Sequence, residues 1–227
     1  MNRNTETVFK GAELEGIKRS QFQMNFNHKT TFNAGDIIPF YLEQDVLPAD
    51  THSIHLNMVI RMLTPIYPTM DNLYADTYFF YVPNRICWEH WKDLMGENRQ
   101  GAWAQETEYT TPQITAPATT GWTKGTIADY MGIPTGKTNF SVSALPFRGY
   151  IKIHNEFMRN QNIVAPLLEM FNDTTVAGDN NSAVYGGKPC KAMKFRDYFT
   201  SCLPEPQKGE NITLPLGSTA TVKLGVS

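Results

Sequence analysis

The stretch RMLTPIYPTMDNLYADTYFFYVPNRICWEHWKDLMGE, residues 61–97, decides the fold prediction. Two proline turns, Thr64-Pro65 and Tyr67-Pro68, lead into an aromatic strand pattern, and a tryptophan-bearing helix pattern follows. The stretch holds no recognisable set of nucleophile, general base and orienting group, and no metal-ligand cage. Because so much apolar and aromatic surface carries no chemistry, we expect a protein whose function is to present and bury surface.

Two segments in and before this stretch have the pattern of long β-strands. Residues 54–62 alternate between apolar and polar side chains, and a period of two is typical of a half-buried strand. Residues 74–82 are bulky on both faces, which predicts a strand covered on both sides. We expect four of their side chains to lie in the core or at a subunit interface: Met58, Ile60, Tyr78 and Phe80.

Helical insertions are predicted near residues 84–96, 126–132 and 146–171. Thr126 and Asp129 resemble a capping box for a helix of one or two turns. Pro146 suits the first turn of the third helix, and Pro166 breaks its pattern. The apolar stripes of the first and third helices predict four further core or subunit-interface residues: Trp88, Trp91, Phe147 and Tyr150.

The remaining patterns define the domain organisation. Residues 1–29 are polar with mixed charge and are interpreted as an extended N-terminal arm, whereas residues 30–227 form the N-terminal portion of one domain. Shorter strand patterns occur at 30–32, 37–42, 212–216 and 220–226, and surface loops are expected at 98–124 and 172–188.

The order of these patterns favours a mainly β fold. No regular β-α-β alternation occurs, so an antiparallel sandwich with long loop and helical insertions fits better than a doubly wound parallel sheet. A closed sandwich needs about eight strands, and the strand patterns number only five or six. We therefore expect the fold to be incomplete in this chain, either because the protein is longer or because partner chains complete the sheets.

Composition limits the classes of function. The chain has 227 residues and a formal net charge of -2, so no global basic field points to nucleic acid. Its three cysteines form no C-x-x-C pair and are interpreted as reduced, mostly buried thiols. The N-terminus lacks a secretory apolar region, and no apolar run reaches the roughly 20 residues that span a bilayer. We expect no membrane insertion.

Candidate chemistry is sparse. The five histidines lack ligand spacings for a metal, His90 has no H-E-x-x-H partner, and His154 is expected to be a satisfied core or interface histidine. No G-x-S-x-G, Walker or dinucleotide-binding motif occurs. We expect no catalytic residue, metal or cofactor. One alternative stays open, a carbohydrate-binding β-sandwich in which loop aromatics contact host surface glycans: Trp122, Tyr109 and Tyr185.

Several blocks, in order along the chain, carry a resemblance to one family. The chain resembles the major capsid proteins of microviruses, which are small icosahedral single-stranded-DNA bacteriophages, and the gokushovirus branch in particular. The principal matching blocks are KTTFNAG at 29–35, LPADT at 47–51, TPIYPTMDN at 64–72, FFYVPNR at 79–85, DYMGIP at 129–134, LPFRGY at 145–150 and DYFT at 197–200. Ala49 stands where the resemblance leads us to expect glycine, and Phe157 replaces an expected tryptophan.

The resemblance implies a viral jelly roll whose identical copies assemble into an icosahedral shell in the virion, after synthesis in the bacterial host cytoplasm. It implies packaged single-stranded DNA at the inner surface, and it leaves open a small internal DNA-binding protein and a host surface receptor as further partners. The basic residues of the arm and its end are then the candidate phosphate contacts, whose binding would weaken with salt: Lys10, Lys18, Arg19 and Lys29.

Overall fold

The computed structural model describes residues 20–44, 46–104 and 107–202, together with the single residues 209, 213 and 217. The chain divides into two compact units, Met1–Thr30 and Thr31–Ser227. In the first unit, residues 20–30 are exposed and without helix or strand, and the rings of Phe26 and His28 stack 5.9 Å apart. The second unit contains all the regular elements given below.

Three short α-helices lie in the described part of the second unit: α1 at Trp91–Leu94, α2 at Ile127–Tyr130 and α3 at Leu145–Ile153. Short 3₁₀ turns occur at Asn84–Ile86 and Ala183–Tyr185, and a π-helical turn at His154–Met158 continues α3. Helix therefore falls inside each of the three predicted insertions, in shorter pieces than the patterns suggested. No described helix is both long enough and apolar enough to traverse a bilayer.

A small mixed sheet forms the β structure of the described residues. Its strands are β1 at Gln113–Thr115, β2 at Ser141–Ser143 and β3 at Val176–Ala177, in the order β2-β1-β3. β1 pairs antiparallel with β2, Ile114 facing Val142, and parallel with β3, Ile114 facing Val176. Two of these strands lie within segments predicted as loops, because each is only two or three residues long and gives no measurable periodicity.

The predicted long strands do not form in the described chain. Residues 30–32, 37–42, 54–62 and 74–82 belong to no sheet, although Asp36 makes an isolated antiparallel bridge to Lys191. The predicted strands at 212–216 and 220–226 lie outside the described residues, apart from position 213. The described structure is thus mostly non-helical with one mixed sheet, and no sandwich closes within it.

The core of the second unit packs around Trp122 and Phe147, whose rings stack 6.2 Å apart. Ile114 of β1, Ile127 of α2 and Ile151 of α3 complete its fully buried part. A second cluster combines Cys87, Trp88 and Leu145 with the partly buried Val82, Trp91 and Tyr109. Each buried aromatic or branched side chain contributes roughly 1.5–3 kcal/mol by leaving water, so these contacts dominate the stability of the unit.

Helix α2 begins with the predicted cap. The Thr126 hydroxyl accepts a hydrogen bond from the Asp129 amide at 3.4 Å. The reciprocal bond is displaced by one residue, since the Asp129 carboxylate accepts from the Gly125 amide at 2.8 Å and not from Thr126. The cap satisfies amides that a helix start leaves without intrahelical partners, and the sequence prediction of a one-turn helix is confirmed.

Helix α3 starts with Pro146 in its first turn, as predicted, but helical structure ends at Met158. The segment that follows runs back along the helix, because the Asn155 side chain donates to the Leu167 carbonyl at 2.9 Å and accepts from the Leu167 amide at 3.0 Å. Lys152 also pairs with Glu169 at 2.8 Å. These contacts hold residues 167–169 beside the helix, and the insertion predicted near 146–171 is helical only as far as Met158, before the predicted break at Pro166.

Ala49 occupies a turn that favours glycine. Its φ of 68° lies in the left-handed region, which costs a residue with a Cβ roughly 1–2 kcal/mol. The Asp50 amide donates to the Leu47 carbonyl at 3.2 Å, and the Leu47 amide donates to the Asp50 carboxylate at 2.9 Å. The glycine expected at this position from the resemblance would adopt the same backbone without strain.

Candidate interaction surface

The helix α3 is tied to neighbouring segments by buried polar groups. Arg148 donates from Nη1 to the Cys87 carbonyl at 3.2 Å and from Nη2 to the Asn172 carbonyl at 2.8 Å. The Tyr150 hydroxyl donates to the Ile37 carbonyl at 2.8 Å and accepts from the Cys190 amide at 2.9 Å. These bonds connect helix α3 to segments that are far apart in the sequence, near residues 37, 87, 172 and 190.

Burial shifts the ionisation of these groups. Desolvation lowers the pKa of the Arg148 guanidinium and raises the pKa of the Cys87 thiol. Burial likewise raises the pKa of the Tyr150 hydroxyl, which therefore stays protonated and keeps donating to Ile37. For His154, burial lowers the pKa of the imidazole. Of these groups, Arg148 and Tyr150 connect distant segments through the hydrogen bonds given above.

The predicted satisfaction of His154 is wrong for one ring nitrogen. The side chain is buried, but its Nδ1 has no hydrogen-bond partner within the part of the chain that is described. An unsatisfied buried polar atom costs roughly 1–3 kcal/mol. The π-helical turn begins at this residue, so the ring lies where the regular helix has already widened.

Residues 51–82, here named the unpaired segment, carry many exposed large apolar side chains. Its backbone makes no backbone–backbone hydrogen bond with any described residue. The exposed fraction alternates along part of the segment as the sequence pattern does, since Met58 is 45%, Val59 86% and Ile60 49% exposed. The segment thus presents a row of apolar side chains beside free backbone donors and acceptors, which is the arrangement that pairs with an added strand.

Four predicted core residues lie in this segment and are not in the core of the single chain. Met58, Ile60 and Tyr78 are about half exposed, and Phe80 is 37% exposed. Of the two predicted positions, core or subunit interface, the described chain does not provide the first, because no sheet forms to cover these side chains. Their predicted role at a subunit interface is not affected by this exposure.

Ring contacts anchor the second half of the unpaired segment. Phe79 meets Phe40 edge-on at 5.8 Å, Phe80 packs on Phe157 at 5.2 Å, and Tyr74 meets Phe195 at 6.3 Å. These aromatic pairs are worth about 0.5–1.5 kcal/mol each beyond their buried area. The segment is therefore held in place at one end while most of its surface stays open.

The other predicted site residues fall into two groups. Trp88, Phe147 and Tyr150 are buried in the chain's own core, and Trp91 is partly buried beside Trp88. Lys29 is exposed, whereas Lys10, Lys18 and Arg19 lie outside the described residues.

Of the loop aromatics considered for a carbohydrate platform, Trp122 is buried, whereas Tyr109 and Tyr185 are partly exposed. Trp122 is 0% exposed and packs at the centre of the core. Its indole nitrogen donates to the Tyr185 carbonyl at 3.4 Å, and Tyr109 stacks on His90 at 4.0 Å. Since a stacking platform needs an open aromatic face, Trp122 as a sugar contact is wrong. Its position in a Thr- and Gly-rich stretch gave no sign of its burial.

One cluster was missed from the sequence. Glu89 and His90 lie beside Asp173, with one ligand atom of each within 4.8 Å of the others. In the sequence, His90 has no partner at the spacing of the helical H-E-x-x-H motif. Asp173 follows 83 residues later, and only the tertiary fold brings it close. The adjacent pair Glu89-His90 was the single local sign of this cluster.

Comparisons with known proteins identify the family. The profile of the phage capsid protein (F protein) family matches residues 12–227. The chain is 39% identical over 204 residues to the capsid protein VP1 of Bdellovibrio phage phiMH2K, covering 90% of this chain and 36% of that protein. It is 40% identical over 223 residues to VP1 of Spiroplasma virus 4, covering 95% and 39% respectively.

A third relative, the capsid protein VP1 of Chlamydia phage 1, is 35% identical over 209 residues, which cover 86% of this chain. The chain spans between 35% and 39% of the length of these three microvirus proteins. The profile match covers residues 12–227, a range that includes every block that carried the resemblance. On these grounds the chain belongs to the phage capsid protein (F protein) family.

Proposed function

We propose that this chain is part of a structural major capsid subunit, without catalysis, whose copies assemble into the icosahedral shell around the single-stranded DNA genome of a small bacteriophage. Family membership supports the class of function. The observation that carries the assembly step is the unpaired segment, because many of its apolar side chains stay exposed and its backbone makes no backbone–backbone hydrogen bond with a described residue. Obligate subunit interfaces are large and hydrophobic.

The finer architecture follows from the same observation. We infer that residues 54–62 and 74–82 become strands of a jelly-roll sandwich when they pair with further protein, either more of the same polypeptide or another copy. Their alternation supports this inference, since an extended apolar segment gains both ladder hydrogen bonds and burial on pairing. Met58, Ile60, Tyr78 and Phe80 would then be covered by the added strands.

The remaining partners of the capsid subunit are also proposals. Lys10, Lys18, Arg19 and Lys29 would contact packaged DNA on the inner surface, and such phosphate contacts weaken as salt rises. A small internal DNA-binding protein and a host surface receptor are two further proposed partners of a subunit located in the virion shell. Synthesis in the bacterial host cytoplasm fits the three free cysteines.

The test uses the complete capsid protein and the double variant Met58→Lys/Ile60→Lys. Shells are counted by negative-stain electron microscopy, and thermal unfolding reports the stability of the unassembled subunit. We expect the variant to lose shells, because two buried cations are too costly at an interface. Its unfolding temperature should stay near that of the parent if another copy covers the segment, and should fall if the rest of the same polypeptide covers it, since both side chains lie outside the core of the described chain.

The matched control is Asn98→Lys/Gln100→Lys, which adds the same two charges to exposed positions outside the unpaired segment. This control should assemble as the parent does. Normal shells from the Met58→Lys/Ile60→Lys protein would contradict the proposed role of the segment. A parent protein that stays monomeric at high concentration would contradict shell formation itself.

A further inference from the structure

Three side chains from two distant stretches converge beside helix α1. His90 Nε2 lies 3.6 Å from Glu89 Oε1 and 3.5 Å from Asp173 Oδ2. The two stretches are joined by a backbone hydrogen bond from the Glu89 amide to the Phe171 carbonyl at 3.1 Å. The three ligand atoms all lie within 4.8 Å of one another.

The imidazole of His90 is held in one orientation. Its Nδ1 lies 2.9 Å from Asp93 Oδ2, and its ring stacks on Tyr109 with centroids 4.0 Å apart and planes at 10°. A carboxylate only accepts hydrogen bonds, so it assigns the ring proton to Nδ1. In the neutral ring Nε2 is then a lone-pair acceptor that faces the other two carboxylates.

Asp173 is positioned from the core side. The indole nitrogen of the fully buried Trp88 donates to Asp173 Oδ1 at 2.5 Å. This bond uses one carboxylate oxygen and leaves Oδ2 facing His90 Nε2. Arg99 pairs with Asp93 at 3.1 Å and with Glu97 at 3.4 Å, and no described cation pairs with Glu89 or Asp173 apart from the imidazole itself.

The three ligand atoms lie close enough to share one ion, and they are open to solvent, since the side chains of His90, Glu89 and Asp173 are 25%, 45% and 48% exposed. One imidazole nitrogen and two carboxylate oxygens are ligand types that bind a divalent cation in proteins.

We propose that Glu89, His90 and Asp173 bind a divalent transition-metal ion of the Zn²⁺ class. Zinc bonds to nitrogen and oxygen ligands are about 2.0–2.2 Å long, and a tetrahedron with such bonds has edges of roughly 3.4 Å. The observed 3.5 Å and 3.6 Å separations match those edges. Asp93 completes the carboxylate–histidine–metal arrangement that fixes the tautomer of a metal-binding ring.

The ligand chemistry selects among cations. Ca²⁺ and Mg²⁺ prefer sites made only of oxygen, whereas a mixed set of one imidazole and two carboxylates suits Zn²⁺ and its neighbours in the first transition row. The ion would join residues 89–90 to residue 173 and so fasten the segment after residue 171 against helix α1. This role is structural, and it does not depend on the proposed assembly function.

The test measures Zn²⁺ binding to the complete capsid protein by isothermal titration calorimetry, with ZnCl₂ as titrant and CaCl₂ as comparison. We expect a single Zn²⁺ site per chain, no Ca²⁺ binding there, and a rise in unfolding temperature with Zn²⁺. His90→Gln should weaken binding at least about 10-fold, since loss of a supporting residue alone typically costs 10–100-fold. His55→Gln is the matched control, because that histidine is exposed and outside the cluster.

Glu89→Gln keeps the proposal testable if His90→Gln unfolds. Its side chain is exposed, and the substitution leaves the His90–Asp93 and Trp88–Asp173 contacts in place. This variant should also lose affinity while folding normally. Equal Zn²⁺ binding by the parent, Glu89→Gln and His90→Gln would overturn the proposal. So would the absence of Zn²⁺ binding by the parent protein.

Discussion

Replacing Gly121 by alanine tests whether the loop before Trp122 is a fixed part of the core. Gly121 has a φ of +65°, and a Cβ there would lie 2.1 Å from the Lys137 carbonyl oxygen and 2.7 Å from its amide nitrogen. Both obstacles are backbone atoms, which cannot rotate away. The loop is also held by Asn180, which donates to the Gly121 carbonyl at 3.0 Å.

The expected cost has two parts. Alanine in the left-handed region costs roughly 1–2 kcal/mol, and forcing extra atoms into a packed site costs about 1–3 kcal/mol more. We expect Gly121→Ala to lower the free energy of unfolding by about 2–5 kcal/mol in total. Gly125→Ala is the matched control, because its φ is +79° and no atom lies within 4 Å of the added Cβ. The free energy of unfolding of Gly125→Ala should fall only by the cost of the left-handed conformation, roughly 1–2 kcal/mol.

Urea unfolding followed by tryptophan fluorescence measures both variants, and the slope with denaturant shows whether the transition stays two-state. For a protein of this size, each kcal/mol corresponds to roughly 2–4 °C in unfolding temperature. Equal losses in the two variants would refute the argument, since the backbone wall at Lys137 would then contribute nothing. A Gly121→Ala protein as stable as the parent would show that the loop shifts freely.

Two further predictions concern buried ionisable groups. Ellman's reagent should modify Cys202 rapidly in the native protein, because this thiol is exposed. Cys87 and Cys190 should react only after denaturation, since both thiols are buried and burial raises their pKa. Equally fast modification of all three thiols would contradict the described core. Stability should fall as pH drops below about 6.5, since burial lowers the folded-state pKa of His154 and the unfolded chain then binds the proton first. His154→Asn should reduce this acid dependence in urea titrations, and an unchanged pH profile would contradict the assignment.

Local signals in the sequence predicted several elements well. Thr126 and Asp129 indicated the start of α2, and Pro146 with the apolar stripe indicated α3. These predictions depend on contacts within a few residues, so the sequence around them contains the necessary information. The same holds for the buried Phe147 on the apolar stripe of α3, whereas Trp88 is buried although it lies outside any helix.

The long strands predicted from the sequence did not form in the described chain, because a strand needs a hydrogen-bonding partner from elsewhere. Residues 54–62 have a clear period of two, yet they remain unpaired and half exposed in the described chain. Conversely, β1 forms in a predicted loop because β2 and β3 supply its ladder hydrogen bonds. Alternation reports which face can be buried, and it does not report what will cover that face.

The sequence by itself determined the family, the absence of recognisable catalytic motifs and the capped start of helix α2, since each of these depends on residue identity and near neighbours. Only the tertiary structure decided that Trp122 is buried, that Arg148 joins residues 87 and 172, and that Asp173 reaches His90. Those outcomes depend on contacts across dozens of residues, where the free energy of packing chooses among many arrangements that the local sequence allows equally.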